Sequence, residues 1–300
     1  MVNGAVTKKS DPYHVIRTFS YGQYQLSYEV HGSGDRVLVW IHGLLMDANL
    51  SRGLATELAR RGYCVVLLDL LGHGASDKPR HASVHRMDLY AEQVIGLLDE
   101  LGLRQAVLGG VSLGANVSLQ TAVVAPERVR GLILQMPVLE WAVPAAASTF
   151  VPMLLAVHYA RTVVRTVTRA VAKLPRTGFG PLDSLMNAAS LDPDGMAAVL
   201  HGLLLGPIAP TVEERRAIEA PALVLAHGLD LIHPLSDARN LAQQLPHARL
   251  IRTRTLLDLW VRPQRLVDEF ADFLEGLGPQ PKRAPRPAES PDRRDVASAS

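Results

Sequence analysis

The chain has 300 residues and a mass of 32.5 kDa, with 48% hydrophobic and 20% charged residues. That usage belongs to a globular protein with its own core and excludes a disordered chain. The single cysteine, Cys64, excludes an intramolecular disulfide and any multi-cysteine zinc or iron–sulfur site. The net charge of +2 resides in segment 279–300, where five basic residues (Lys282, Arg283, Arg286, Arg293, Arg294) face three acidic ones (Glu289, Asp292, Asp295). The body is neutral, so nucleic acid is not an expected partner.

Residues 1–12 hold no apolar core, which predicts a flexible N-terminus without a secretory signal. No uninterrupted run of about 18 apolar residues exists, so no membrane span is expected, and a cytoplasmic location is. The first predicted strands, 15–19 and 25–30, alternate in polarity as a half-exposed antiparallel edge does. From there on the strands become continuous apolar runs: 37–42 (VLVWIH), 64–69 (CVVLLD), 106–111 and 131–136. Such runs fit a parallel sheet covered on both faces. Helices are predicted over 50–61, 87–101 and 113–124, between these strands.

Residues 140–219 offer no strand and read as helices punctuated by prolines, inserted after the sixth strand where a lid would cover the carboxyl ends. Their first part, AVPAAASTFVPMLLAVHYA, is apolar but broken by Pro152 and too short to span a bilayer. Next, Arg161, Arg165, Arg169 and Lys173 recur every four residues opposite Val163, Val164, Val167 and Val171. Two readings stand: a solvated helix face, or a surface that makes weak contact with anionic lipid or an acidic ligand. Strand 222–226, helix 234–245, strand 249–253 and helix 263–274 follow. Residues 277–300, with five prolines, predict a disordered tail. The expected architecture is α/β, a doubly wound, mostly parallel eight-stranded sheet. Its core would comprise 13–139 and 220–276, with 140–219 as a helical lid.

The chemistry-bearing motif is Gly110-Val111-Ser112-Leu113-Gly114, directly after the apolar strand and opening a helix. This is a G-x-S-x-G nucleophile elbow in strand–turn–helix context. Glycines are needed because a serine turned sharply between strand and helix brings neighbouring backbones too close for a Cβ. His42-Gly43 closes the strand VLVWI, and Asp69-Leu70-Leu71-Gly72-His73-Gly74-Ala75-Ser76-Asp77 closes the next. Pro221-Ala222-Leu223-Val224-Leu225 then leads to Asp230. Over about residues 24–274 the chain resembles the α/β-hydrolase superfamily of the AB hydrolase-1 type. That branch holds lid-bearing esterases, epoxide hydrolases, haloperoxidase-like and C–C bond hydrolases. The serine at the elbow sets it apart from epoxide hydrolases and haloalkane dehalogenases, which use an aspartate there.

The resemblance implies an oxyanion hole from the backbone N–H groups of Leu44 and Leu113. It also implies an acid and a histidine in the order serine, acid, histidine. Asp230 fits the acid, and Glu140, after the strand GLILQMP, is the second candidate. The histidine expected after the last strand is missing: the chain reads Arg254-Thr255-Leu256-Leu257-Asp258-Leu259-Trp260-Val261, and its last histidine, His247, precedes that strand. Candidate replacements are His233, three residues after Asp230, His158 in the lid, and Asp258 at the vacated position. His42 and His73 belong to motifs in which histidine is structural. The expectation is a serine hydrolase acting through Ser112 on an ester or related acyl bond of a lipophilic small molecule, with a relocated base. The alternative is a non-hydrolytic homologue that binds a small molecule. Neither metal nor cofactor is expected.

Overall fold

The continuous apolar strands serve two cores at once. In β3 (Val37–Ile41), Val37, Val39 and Ile41 join one core while Leu38 and Trp40 join the other; β4 (Cys64–Leu68) divides in the same alternating way. The period-2 geometry of a strand produces this split, and helices on both faces make it favourable. The structure, a computed structural model, describes residues 14–204, 206–228, 230, 232–253 and 263–278. The expected flexible start, Asp258 with its neighbours, and nearly all of the expected tail lie outside the described residues.

The remaining strands are β1 (His14–Tyr21), β2 (Tyr24–His31), β5 (Ala106–Val111), β6 (Val129–Gln135), β7 (Ala222–His227) and β8 (Ala248–Thr253). They form one eight-stranded sheet in the order β1-β2-β4-β3-β5-β6-β7-β8. β2 pairs antiparallel with both β1 and β4, and every later pairing is parallel. β1 is the exposed edge, whereas β2, flanked by β1 and β4 and with Leu26 and Tyr28 in the core, is buried over most of its length.

Helices α1 (Arg52–Arg60) and α10 (Pro263–Gly276) pack on one face. There Trp40 and Phe270 meet with ring centroids 5.4 Å apart, and burial of each contributes about 1.5–3 kcal/mol. Helices α2 (Met87–Glu100), α3 (Leu113–Val124) and α9 (Leu235–Gln244) contribute to the core of the opposite face. Between β6 and β7 come α4 (Val143–Tyr159), α5 (Arg161–Ala172), α6 (Gly180–Ala188), α7 (Pro193–Leu203) and α8 (Val212–Arg216).

Buried polar side chains fasten this insertion. Asn116 on α3 donates from Nδ2 to Val138 O and Ile208 O, both at 2.7 Å, and accepts from Val138 N–H at 3.1 Å, so one amide ties both roots of the insertion. Asp237 on α9 accepts from the backbone N–H groups of Leu139, Trp141 and Ala142 at 2.9–3.1 Å. Farther out, Asn187 on α6 donates to Asp47 Oδ2 at 2.6 Å, and Asp47 N–H donates to Ser184 Oγ at 3.0 Å. Within the basic stripe, Arg161 and Arg165 pair with Asp194 on α7 while remaining partly exposed.

Candidate active site

Ser112 turns between β5 and α3 at φ 54°, ψ −108°, a conformation that costs a non-glycine residue about 1–3 kcal/mol. Close backbone packing enforces it. A Cβ on Gly114 would stand 2.2 Å from Ile41 O, and one on Gly110 2.4 Å from the same oxygen. Ser112 N–H donates to Gln135 O at 2.9 Å, and Asn116 N–H donates to Ser112 O at 3.1 Å. The serine is therefore gripped by β6 and by the first turn of α3. Its hydroxyl sits at a helix N-terminus, where the dipole favours negative charge.

The segment between β7 and α9 brings the other two groups. Asp230 Oδ1 accepts from the N–H groups of Ile232 and His233 at 2.9 and 3.0 Å, while Oδ2 accepts from His233 Nδ1–H at 2.8 Å. With Nδ1 carrying the proton, Nε2 offers its lone pair, and Ser112 Oγ–H donates to it at 2.9 Å. Only β6 separates β5 from β7 in the sheet, so about 10 Å of lateral reach suffices at ~4.8 Å per strand. The Asp230 side chain is 8% exposed and that of His233 14%. Desolvation works to raise the Asp230 carboxyl, but the hydrogen bond and charge of His233, with the two amides, outweigh it and hold it below the usual carboxylate range.

A cavity of about 390 Å³ opens over these groups. Leu44 and Leu113 border it, and among the described residues neither backbone N–H has a protein acceptor. One wall is a helical stripe of α4: Val143, Ala146, Ala147, Phe150, Val151 and Leu154. Among the described lining residues, Asp230 and His233 are the only ionisable ones.

The other candidates lie elsewhere. His158 is exposed on α4, its ring edge-on to Tyr159 at 4.7 Å, so it does not descend over Ser112. Glu140 accepts a 2.6 Å bond from the buried guanidinium of Arg215 and not from a histidine. His42 accepts from Leu70 N–H at Nε2 (3.1 Å) and donates from Nδ1 to Gly43 O (2.8 Å), which makes it a structural link between two loops. Burial drives the His73 imidazole well toward its neutral form. Asp69 in the D-x-x-G-H-G-x-S-D stretch accepts from Ala48 N–H and Ala75 N–H, both at 2.8 Å, and a Cβ on Gly74 would collide with its carboxylate. These contacts fix the conformation of the stretch. Asn116, Met136 and Asp237 carried no sequence signal; Met136 borders the cavity at φ 53°, and the other two fasten its roof.

Among the described residues, His14, Glu29 and His31 have ligand atoms within 4.8 Å of one another. They lie on the β1–β2 ribbon, away from the cavity lining. Their imidazoles stack at 4.6 Å and 15°, so in-plane lone pairs cannot converge on one ion, and Arg52 already grips Glu29. This cluster does not suit a metal.

Residues 36–255 match the family model described as alpha/beta hydrolase fold. The chain belongs to that family. Among curated relatives, this α/β hydrolase is 37% identical over 105 residues to "2-hydroxymuconate semialdehyde hydrolase" of Pseudomonas sp. (strain CF600), covering 35% of this chain and 34% of the relative. It is 39% identical over 133 residues to "2-hydroxy-6-oxononadienedioate/2-hydroxy-6-oxononatrienedioate hydrolase 2" of Pseudomonas putida, covering 43% and 44%. These matches span less than half of each relative. The enol-lactonase of Burkholderia xenovorans LB400 superposes with a TM-score of 0.69 at 20% identity, covering 86% of this chain and 99% of that one, a likeness of fold.

Proposed function

We propose that the chain is a serine hydrolase that cleaves an ester or related acyl bond of an uncharged, lipophilic small molecule. The observation that carries this reading is the hydrogen-bonded series Ser112 Oγ–His233 Nε2 at 2.9 Å and His233 Nδ1–Asp230 Oδ2 at 2.8 Å. A serine hydroxyl is a weak nucleophile until a base takes its proton, and this series supplies base and orienting acid.

In the proposed reaction His233 Nε2 takes the Ser112 proton as Oγ bonds to the substrate carbonyl carbon, and the carbonyl π pair moves onto oxygen. The N–H groups of Leu44 and Leu113 donate to that oxyanion; two such donors contribute several kcal/mol, about 3 each. Collapse of the tetrahedral species breaks the bond to the leaving alkoxide, which takes the proton from His233. Water, deprotonated by His233, then attacks the acyl-serine carbonyl; collapse of this second tetrahedral species breaks the bond to Ser112 Oγ, which takes the proton from His233 as the acid product leaves. Asp230 remains ionised throughout and holds the imidazole in its productive tautomer. Helices α4 to α7 act as the lid that excludes bulk water.

Two matched relatives bear names of hydrolases, one naming a dicarboxylate ("dioate") substrate. Among the described residues no Lys or Arg lines the cavity, so a substrate carboxylate there would be desolvated without a countercharge from them. That favours a neutral acyl chain or ring over a dicarboxylate. The test is labelling with a fluorophosphonate, with the adduct located by mass spectrometry, and turnover of p-nitrophenyl esters of graded length. Labelling at Ser112 and preference for longer acyl chains are expected. An unlabelled wild type, in conditions that label a competent serine hydrolase, would favour the alternative: a small-molecule-binding protein without turnover.

A further inference from the structure

The α4–α5 pair is oddly composed for a surface element. α4 runs 17 residues without Asp, Glu, Lys or Arg, and only Val157 is buried. Trp141 just before it is 68% exposed and Tyr159 at its end 80%, with Leu155 between them also exposed. α5 adds Val163 and Val167, at 64% and 55% exposure. No acidic residue occurs from Val143 to Lys173. Asp194 engages Arg161 and Arg165, whereas Arg169 and Lys173 have no carboxylate partner among the described residues.

This pattern is not that of a core element, and α4 and α5 have the length and composition of a span only as a pair across a sharp bend. Among the described residues no single helix is long and apolar enough to cross a membrane, and α4 meets α5 at a bend of 107°. At 1.5 Å per residue α4 reaches about 25 Å, short of a ~30 Å hydrocarbon layer. Apolar side chains flanked by Trp and Tyr, beside unpaired cations, match what an interfacial helix offers to anionic headgroups. A second copy fits less well, because a self-complementary interface would set Arg169 and Lys173 of one chain near those of the other.

We propose that the exposed face of α4 and α5 docks on an anionic lipid bilayer. The neighbouring stripe of α4, which includes the partly exposed Val143 and Val151, walls the Ser112 cavity, so docking places the roof of that cavity against the membrane. A lipophilic substrate dissolved in the bilayer then has a short path inward; this last step rests on the hydrolase reading, while docking itself does not.

The experiment is flotation of the full chain with vesicles of phosphatidylcholine alone or with 30% phosphatidylglycerol (roughly the charge density of an anionic leaflet). We expect recovery with the phosphatidylglycerol vesicles, at least tenfold less with phosphatidylcholine alone, and weakening as salt rises. Val163→Glu/Val167→Glu and, separately, Arg169→Glu/Lys173→Glu should each lower recovery at least tenfold, with unchanged circular dichroism and melting temperature. Ser112→Ala should float like wild type, which separates docking from hydrolysis. Wild type that floats with neither vesicle overturns the proposal. So does sedimentation as a dimer that Val163→Glu/Val167→Glu dissolves while vesicle recovery stays nil, since the face would then cover a second copy.

Discussion

Two pieces of backbone, the turn at Ser112 and the segment Asp230–His233, meet at one hydrogen bond yet are held by opposite means. The serine turn is imposed by steric closeness: Gly110 and Gly114 lie against Ile41 O, and backbone hydrogen bonds to Gln135 and Asn116 complete the grip. The loop that carries His233 is held by one carboxylate, Asp230, which accepts from two amides and an imidazole. A turn made by packing tolerates no added atom but needs no side-chain chemistry. A turn made by a carboxylate tolerates changes around it and depends on a single acceptor side chain.

That contrast yields substitutions of graded effect. His233→Ala should lower turnover roughly 10⁴- to 10⁶-fold, as loss of a base does, with little change in melting temperature. Asp230→Asn sharpens the distinction. Its remaining carbonyl oxygen can still accept from Ile232 and His233 N–H, so the turn persists, but its amide cannot accept from Nδ1–H. We expect kcat to fall by about 10³–10⁴ with stability nearly intact, read by steady-state kinetics and thermal melting. Gly114→Ala should behave oppositely, losing about 3 kcal/mol or more because Cβ would overlap Ile41 O, as measured by urea unfolding.

A smaller effect is expected where the roof meets the sheet. Asn116→Ala strands the carbonyls of Val138 and Ile208 and should cost about 1–3 kcal/mol, with faster hydrogen exchange at both roots of the insertion. The smallest concerns acid stability far from the site. Desolvation works to raise the Glu29 pKa, but hydrogen bonds from His31 and Arg52 more than reverse it, to about 2. A depressed carboxylate stabilises the fold above its unfolded value of 4.5, and that contribution is lost as pH falls from there toward 2. Glu29→Gln should therefore flatten the decline of the urea midpoint over that acid range.

The same contrast explains what the sequence makes legible. The strands announce themselves because each apolar run feeds two cores, and the elbow does so because its glycines, serine and flanking strand are contiguous. His233 has no such local signature: it lies between Ile232 and Pro234 in an ordinary loop. Its relation to Ser112 exists only through the strand order β5-β6-β7, a long-range fact. The family pattern directs attention to residues after the last strand, where the chain has no histidine. Asp237 and Asn116 were silent for the same reason, since each joins segments distant along the chain. Asp194 pairs with only the first half of the basic stripe, another contact between segments distant along the chain.

The most direct measurement is the second-order rate of fluorophosphonate capture at Ser112 in wild type and in His233→Ala, at neutral pH. If His233 is the base, the variant reacts at least a hundredfold more slowly while folding normally (as expected for loss of proton transfer, roughly 10²–10⁴). Capture of the two proteins at equal rates would place the proton acceptor elsewhere and contradict the account.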